Sequence, residues 1–250
     1  LITAGTFKYP LYLSAGEEFI PATIAHYCSD VEPLIFAQHR AHSIYLSFNG
    51  NRDNLVCELL GKSTGCSKGM GGSASIQGKE INMFGHDGMM GSQIPIAVGA
   101  CLASKRPTIA ICGDAAAEED YVMSSIAWAG TKKLPILFVV TDNNLSILTE
   151  KKVRRSWEMA DFANSVGVEG YDIQDEPDQI WKTLNTLKLP ALINVRTDRM
   201  FWHAGAGIDE YEKRDRLQLE VQRIKADTVE SLTNEYIQQI EQLWAKHLEK

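Results

Sequence analysis

The sequence contains no run near the ~18 consecutive apolar residues that a membrane-spanning helix requires, so no membrane partner is expected. It also lacks a basic excess. Its 25 Lys and Arg face 32 Asp and Glu, a formal net charge of −7, whereas a nucleic-acid binder shows a basic patch or stripe; no nucleic-acid partner is expected either. No two of Cys28, Cys57, Cys66, Cys101 and Cys112 have C-x-x-C spacing, which argues against a structural zinc site. Scattered and odd in number, these thiols read as small buried hydrophobes in a reducing compartment. Leu1-Ile2-Thr3-Ala4-Gly5 has neither the basic start nor the apolar stretch of a secretory leader, and the expected location is cytoplasmic. Internal repeats and low-complexity tracts are missing as well.

What is present is enough apolar material, 44% of 250 residues, for one sizeable core. Three short runs rich in β-branched residues, 108–112, 136–140 and 191–195, predict buried parallel strands. Between them, 93–104 is apolar nearly all round and predicts a buried helix, and 118–130 predicts a second helix closed by Gly130. Alternating strands and helices predict an α/β fold with a doubly wound, mainly parallel sheet over 1–216. The segment 52–91 holds so many glycines that irregular, ligand-approaching backbone is expected there. The last segment, 217–250, is charged and periodic; Asp227-Thr228-Val229-Glu230 resembles a capping box, and a helix packed on the domain or on a partner is expected.

The chemistry concentrates at two strand ends. Gly113-Asp114 follows the run 108–112, and Asn143-Asn144 follows the run 136–140. Side chains at the carboxyl ends of parallel strands sit where α/β folds bind ligands. One carboxylate and one amide oxygen from neighbouring strands suit Mg²⁺, a hard ion with oxygen ligands. The backbone amides that open the next helix suit a diphosphate.

These residues carry a resemblance. Gly113-Asp114 with Asn143-Asn144 resembles the thiamine-diphosphate motif. Ser14-Ala15-Gly16-Glu17-Glu18, His39-Arg40-Ala41-His42, the glycine-rich text 60–73, the text 88–99 and Thr197-Asp198-Arg199-Met200-Phe201-Trp202-His203 resemble, in that order, the alpha subunits of the 2-oxoacid dehydrogenases of the pyruvate, branched-chain and acetoin types. The resemblance implies thiamine diphosphate and Mg²⁺ as cofactors. The metal ligands it implies are Asp114, Asn143 and the Leu145 carbonyl, with Asn144 the alternative to Asn143. Arg40, His39, and the amides of Ala115 and Ala116 fall at diphosphate positions, and Gly88 and Met90 at the aminopyrimidine. Ile147 falls where an apolar residue bends the cofactor. His203 falls beside the diphosphate and reaction centre as the catalytic residue. His42 and His86 fall near the channel; His26 and His247 read as surface or filler.

The implied activity is decarboxylation of a 2-oxoacid or related donor and transfer of the acyl or aldehyde fragment. A beta-type partner would supply the activating glutamate in an α₂β₂ assembly, and a lipoyl acyltransferase is a further possible partner. The chain departs from the family's pattern at Tyr12 (often His), His39 (usually Tyr), Ala115 (Gly) and Phe201-Trp202 (His-Gly). Its 204–208 is not the Ser-rich phosphorylation loop, and the long opening helix of these subunits is not recognisable. Two other readings stay open: the amino-terminal subunit of a split transketolase-like enzyme, and an inactive scaffold.

Overall fold

The three expected strands form the middle of a six-stranded sheet in the computed structural model, which describes residues 2, 5–7, 9–85, 88–204 and 213–248. They are β3 (Thr108–Gly113), β4 (Ile136–Asp142) and β8 (Ala191–Arg196), each a residue or two longer than the apolar run that announces it. Three shorter strands complete the sheet: β1 (Leu34–Phe36), β2 (Met83–Phe84) and β7 (Glu169–Gln174). The spatial order is β2-β1-β3-β4-β8-β7, and every pairing is parallel. A separate antiparallel hairpin, β5 (Leu145–Ser146) with β6 (Thr149–Glu150), follows β4 directly.

Period-two alternation sends β3 side chains to both faces. Ile109 and Ile111 join one buried cluster with Ile20, Ile24, Ile44 and Ile180. Those partners come from α1 (Phe19–Tyr27), α2 (His42–Ser47) and α8 (Pro177–Thr186). Ala110 and Cys112 join the other cluster with Ile94, Val98, Ile126 and Ala163, on α4 (Gln93–Ser104), α5 (Asp120–Lys132) and α7 (Met159–Ser165). Helices cover both faces, as a doubly wound sheet requires.

Several expectations are corrected. Helix α4 is not buried all round: Ile94, Ala97, Val98 and Cys101 face the sheet, while Ile96 is 57% exposed. The second helix starts at Asp120, after a 3-10 turn over Ala116–Glu118. It is closed by Lys133 at φ 49, not by Gly130. Gly130 is needed for another reason: a Cβ there would stand 2.3 Å from the Val166 carbonyl oxygen. His86 and residues 205–208 lie outside the described residues.

The segment 52–91 is not irregular throughout. It opens with helix α3 (Arg52–Leu59), capped by the Asn51 side chain. The glycine-rich loop behind it is ordered by Glu58, which is fully buried. Its carboxylate accepts four backbone N–H groups, from Ser67, Gly69, Gly71 and Gly72, at 2.7–2.9 Å. Each is a charge-assisted hydrogen bond, so the loop closes around one anion.

After the short α6 (Lys151–Arg154) and α9 (Arg216–Val221) comes α10 (Ala226–Leu248). The capping box does not form: the helix begins before Asp227, and the amides of Thr228 and Val229 reach the Lys225 carbonyl. Asp227 sits in the first turn, where its charge still complements the helix dipole. The far end of α10 rests on α3 through His247 and Lys246 on Asp53, while Trp244 meets Phe7 edge-on. Leu232, Tyr236, Ile237 and Ile240 stay about half exposed. No helix among the described residues is long and apolar enough to cross a membrane.

Candidate active site

The chain reverses direction along the sheet at β1 and β3: β2 lies on one side of β1 and β3 on the other. A crevice opens outside the carboxyl ends at such a switch point. His39 and Arg40 follow β1, Asp114 follows β3, Asn143 follows β4 and His203 follows β8. Together with Gly88, Met90, Ala115, Ala116, Leu145 and Ile147, they all line one cleft of about 420 Å³. The expected metal, cofactor and catalytic residues are therefore brought together. His42 is not among the lining residues. It lies behind the cleft, 2.8 Å from the Ser73 hydroxyl, and burial lowers its pKa to about 4.

Asp114 is almost wholly buried. Burial, then the charge of Asp142, raises its pKa, against the pull of Arg154 and Arg155. Arg154 donates to its Oδ2, and Arg155 Nη1 donates to its backbone carbonyl at 3.2 Å. Asn143 is buried, and its Nδ2 donates to Glu17 Oε1 at 3.1 Å. That hydrogen bond fixes the amide and leaves Oδ1 as acceptor for Leu145 N at 3.2 Å, with a second lone pair to spare. Asn144, by contrast, is exposed, has φ 66 and does not line the cleft. Glu17 is itself buried; burial raises its pKa, while Arg40 and the Asn143 hydrogen bond lower it.

The anion-binding side is built on the other strand ends. Arg40 takes φ 63, a left-handed conformation held by the Ser14 hydroxyl on its carbonyl at 2.7 Å and by its own Nη1 on the Leu13 carbonyl. Ala115 has φ −73, so the alanine in place of glycine costs nothing in backbone. The amides of Ala115 and Ala116 open the 3-10 turn, where backbone N–H groups have no partner within the helix. His39, His203 and Tyr12 converge, with ring centroids 5.0–5.7 Å apart. Ile147 has φ 56, rare for a β-branched residue. Its carbonyl is held by the buried Arg199 guanidinium, and strain of this kind gathers at ligand sites.

The donor set fits a hard cation: a carboxylate, an amide oxygen and a main-chain carbonyl. Among the described residues no three His, Cys, Asp or Glu side chains form a self-sufficient metal site. An ion at Asp114 therefore needs further oxygens, which a diphosphate would bring. Arg40 and Arg199 supply the positive surroundings such an anion needs, and two imidazoles add hydrogen-bonding groups.

Nothing in the sequence singles out Glu17, Gln38, Arg154 or Arg199 as site residues. Gln38 follows a strand of only three residues, too short to be announced by its pattern. It accepts from Gln93 Nε2 at 3.3 Å and from Gly113 N at 3.4 Å, tying β1 to β3 at the cleft floor. Glu17 and Arg199 lie inside quoted motifs, and their burial was the missing signal. Arg154 lies in Lys151-Lys152-Val153-Arg154-Arg155, four basic residues in five, a pattern typical of a solvated surface.

A model of the Dehydrogenase E1 component family matches residues 9–175. The chain is 30% identical over 171 residues to the mitochondrial pyruvate dehydrogenase E1 component subunit alpha-1 of Oryza sativa, a match covering 65% of this chain and 44% of that protein. It is 25% identical over 223 residues to the pyruvate dehydrogenase E1 component subunit alpha of Rickettsia bellii, covering 83% of this chain and 68% of that protein. Among solved structures, a transketolase from Campylobacter jejuni has a TM-score of 0.56 at 18% identity, covering 71% of this chain and 32% of that one, a likeness of fold alone. The chain thus spans less than half the length of the rice relative. With well over half of its residues inside the family match, among them most of those that line the cleft, the chain belongs to the Dehydrogenase E1 component family.

Proposed function

We propose that the chain is the alpha-type subunit of a heteromeric thiamine-diphosphate-dependent enzyme that decarboxylates a 2-oxoacid or related carbonyl donor and hands on the acyl or aldehyde fragment. The observation that carries this reading is the convergence of Arg40, Asp114, Asn143 and His203, from four adjacent strand ends, on one cleft. Bound thiamine diphosphate supplies the electron sink for such chemistry. Asp114, Asn143 and the Leu145 carbonyl would hold Mg²⁺. Arg40 and the amides of Ala115 and Ala116 would hold the diphosphate, and Ile147 would pack against the cofactor's apolar side. His203, beside His39 and Tyr12, is placed to hold or move a proton and to stabilise negative charge near the reacting carbon. Phe201 and Trp202 give the mouth an apolar rim.

The rim and the faces around it leave large apolar side chains in solvent: Met89, Ile96, Trp128 and Trp202 are each about half exposed. A beta-type partner that completes the site and supplies the activating glutamate would cover them, in an α₂β₂ assembly with closed two-fold symmetry.

The test pairs calorimetry with co-expression. Thiamine diphosphate titrated with Mg²⁺ should bind the wild-type assembly. Asp114→Ala should lose at least about 100-fold in affinity, no less than the loss of an outer-shell partner of a metal ligand. Unchanged affinity in the variant sinks the metal assignment. No binding even with the partner present leaves an inactive scaffold, and turnover of sugar phosphates instead of 2-oxoacids makes the chain transketolase-like.

A further inference from the structure

Two buried carboxylates at the carboxyl end of the sheet are paired with cations in different ways. Asp142 is held from all sides: Lys151 Nζ at 2.7 Å, Asn194 Nδ2 at 3.1 Å and the Asn144 amide at 3.0 Å. Lys151 is in turn held by Glu158 at 3.1 Å. That pair is a closed, structural one. Asp114 is not closed in this way. Among the described residues its Oδ2 is held by a single guanidinium, Arg154, while the residue also faces the cleft.

Arg154 is poorly matched to the place it occupies. Its side chain is largely buried, at 13% exposure. Among the described residues its one hydrogen bond is to Asp114; its Nη1 is ion-paired with Glu118 Oε1 at 2.9 Å outside hydrogen-bond geometry, and its Nε is buried without an acceptor. A guanidinium has five N–H donors, and unmet ones cost free energy when buried. Glu118 is thus a second carboxylate already on this guanidinium, and its Oε1 is shared with Arg155 Nη1 at 2.9 Å. Arg154 also rides on the segment that carries the metal-site carbonyl. Helix α6 follows the β5–β6 hairpin that begins at Leu145, and the Lys151 amide is tied to the Asn144 carbonyl at 2.9 Å.

A divalent ion on Asp114 would stand about 2 Å from a carboxylate oxygen, within a few ångströms of this guanidinium. In so dry a place the two positive charges repel strongly, and they cannot both draw fully on one carboxylate. We infer that Arg154 competes with the divalent cation for Asp114, and that its guanidinium gives up Asp114 and is held by Glu118 alone when the cation binds. Arg154 is then a positioning residue. It neutralises Asp114 while the site holds no cation, and it sets the cation's affinity. The inference rests on the metal reading of Asp114 given above.

The probe is Mn²⁺, followed by calorimetry and electron paramagnetic resonance on the full chain at a fixed, saturating concentration of thiamine diphosphate, whose diphosphate brings the further oxygens the ion needs. Arg154→Gln should tighten Mn²⁺ binding by about tenfold or more, on the scale by which outer-shell partners alter metal affinity. Arg154→Lys, which keeps the charge but loses the planar fork, should tighten it less. Glu118→Gln removes the resting place and should weaken binding. A guanidinium that only braces the fold would leave affinity where it is, so unchanged or weaker Mn²⁺ binding by Arg154→Gln overturns the inference. Asp114→Asn separates the two levels. If it loses Mn²⁺ while Arg154→Gln gains nothing, only the role of Arg154 falls. If it binds Mn²⁺ as wild type does, the metal reading falls and this inference with it. Should Arg154→Gln fail to fold, the rise in Tm caused by Mn²⁺ is compared in Arg154→Lys and wild type. A larger rise in the variant is expected, and an equal or smaller one overturns the proposal.

Discussion

Glu58 and Asp114 are both buried acids at the start of glycine- or alanine-rich text, yet they are held in opposite ways. Among the described residues no cation pairs with Glu58. Four main-chain amides of the loop behind α3 surround its two oxygens, so the backbone itself is the counter-charge. Asp114 is held by side chains that can move, and burial raises its pKa. The first carboxylate is spent on order. The second stays available to a ligand, at a cost in folding free energy that the rest of the sheet absorbs. The difference shows where a family text is architectural and where it is chemical, although both stretches look alike in glycine and small-residue content.

The comparison breaks most visibly at Glu58. Glu58→Ala should orphan four amides in a buried loop and cost on the order of 5 kcal/mol, given 1–3 kcal/mol for each stranded donor and partial relief by water. Denaturant unfolding should show a large loss, or no folded chain at all. A loss below about 1 kcal/mol would mean that the loop is ordered by something else. On the cleft side the order of effects should reverse. His203→Ala should leave folding and thiamine diphosphate binding nearly unchanged while lowering turnover of the assembled enzyme by about 10²-fold, the usual scale for a positioned acid–base group. Turnover equal to wild type would reduce His203 to packing.

A third buried carboxylate sharpens the contrast with a smaller effect. Asp175 accepts from the Thr197 hydroxyl at 2.6 Å, but its Oδ1 is buried without a partner. Burial pushes its pKa up from 3.8 to about 7, against the Thr197 hydrogen bond and Arg216. The carboxyl binds its proton more tightly in the folded chain than in the unfolded one. Its contribution to stability is therefore full below about 3.8 and is lost as pH rises through about 7. His42, lowered to about 4 by burial, works the other way: folding favours the neutral ring, and that contribution is lost as pH falls from 6.5 through about 4. Between pH 4 and 7 the two groups oppose each other. Relative to wild type, Asp175→Asn should gain stability as pH rises through this window, and His42→Gln should gain as pH falls. Each difference should amount to about 1–3 kcal/mol. Melting curves that keep a constant offset from wild type across the window would remove these assignments.

Much of this molecule was legible along the chain. The β-branched runs at 108–112, 136–140 and 191–195 locate β3, β4 and β8 to within a residue or two, because a strand buried on both faces must be apolar throughout. The missed strands lacked that signal. β1 has three residues, and β7 is a half-exposed edge whose Glu169, Tyr171 and Asp172 break the apolar run. The residues expected to hold the cofactor and metal were legible as well, since they sit in motifs near strand ends, whereas His42, expected at the channel, lies outside the cleft lining.

What the chain could not disclose is which charges answer which. Glu17 reaches across to Asn143, Arg199 braces Ile147, and Arg154 covers Asp114. These partners lie far apart in sequence, and each reads as an ordinary surface charge until its burial is known. The choice of Asn143 over Asn144 as the inward-facing amide is of the same kind, decided by one turn of backbone after β4. Sequence by itself determined element type, strand-end chemistry and family, because these follow from local period and residue kind. Only the tertiary structure decided the pairing of buried charges, because that depends on distance and dielectric, which exist only once the sheet has brought its carboxyl ends side by side.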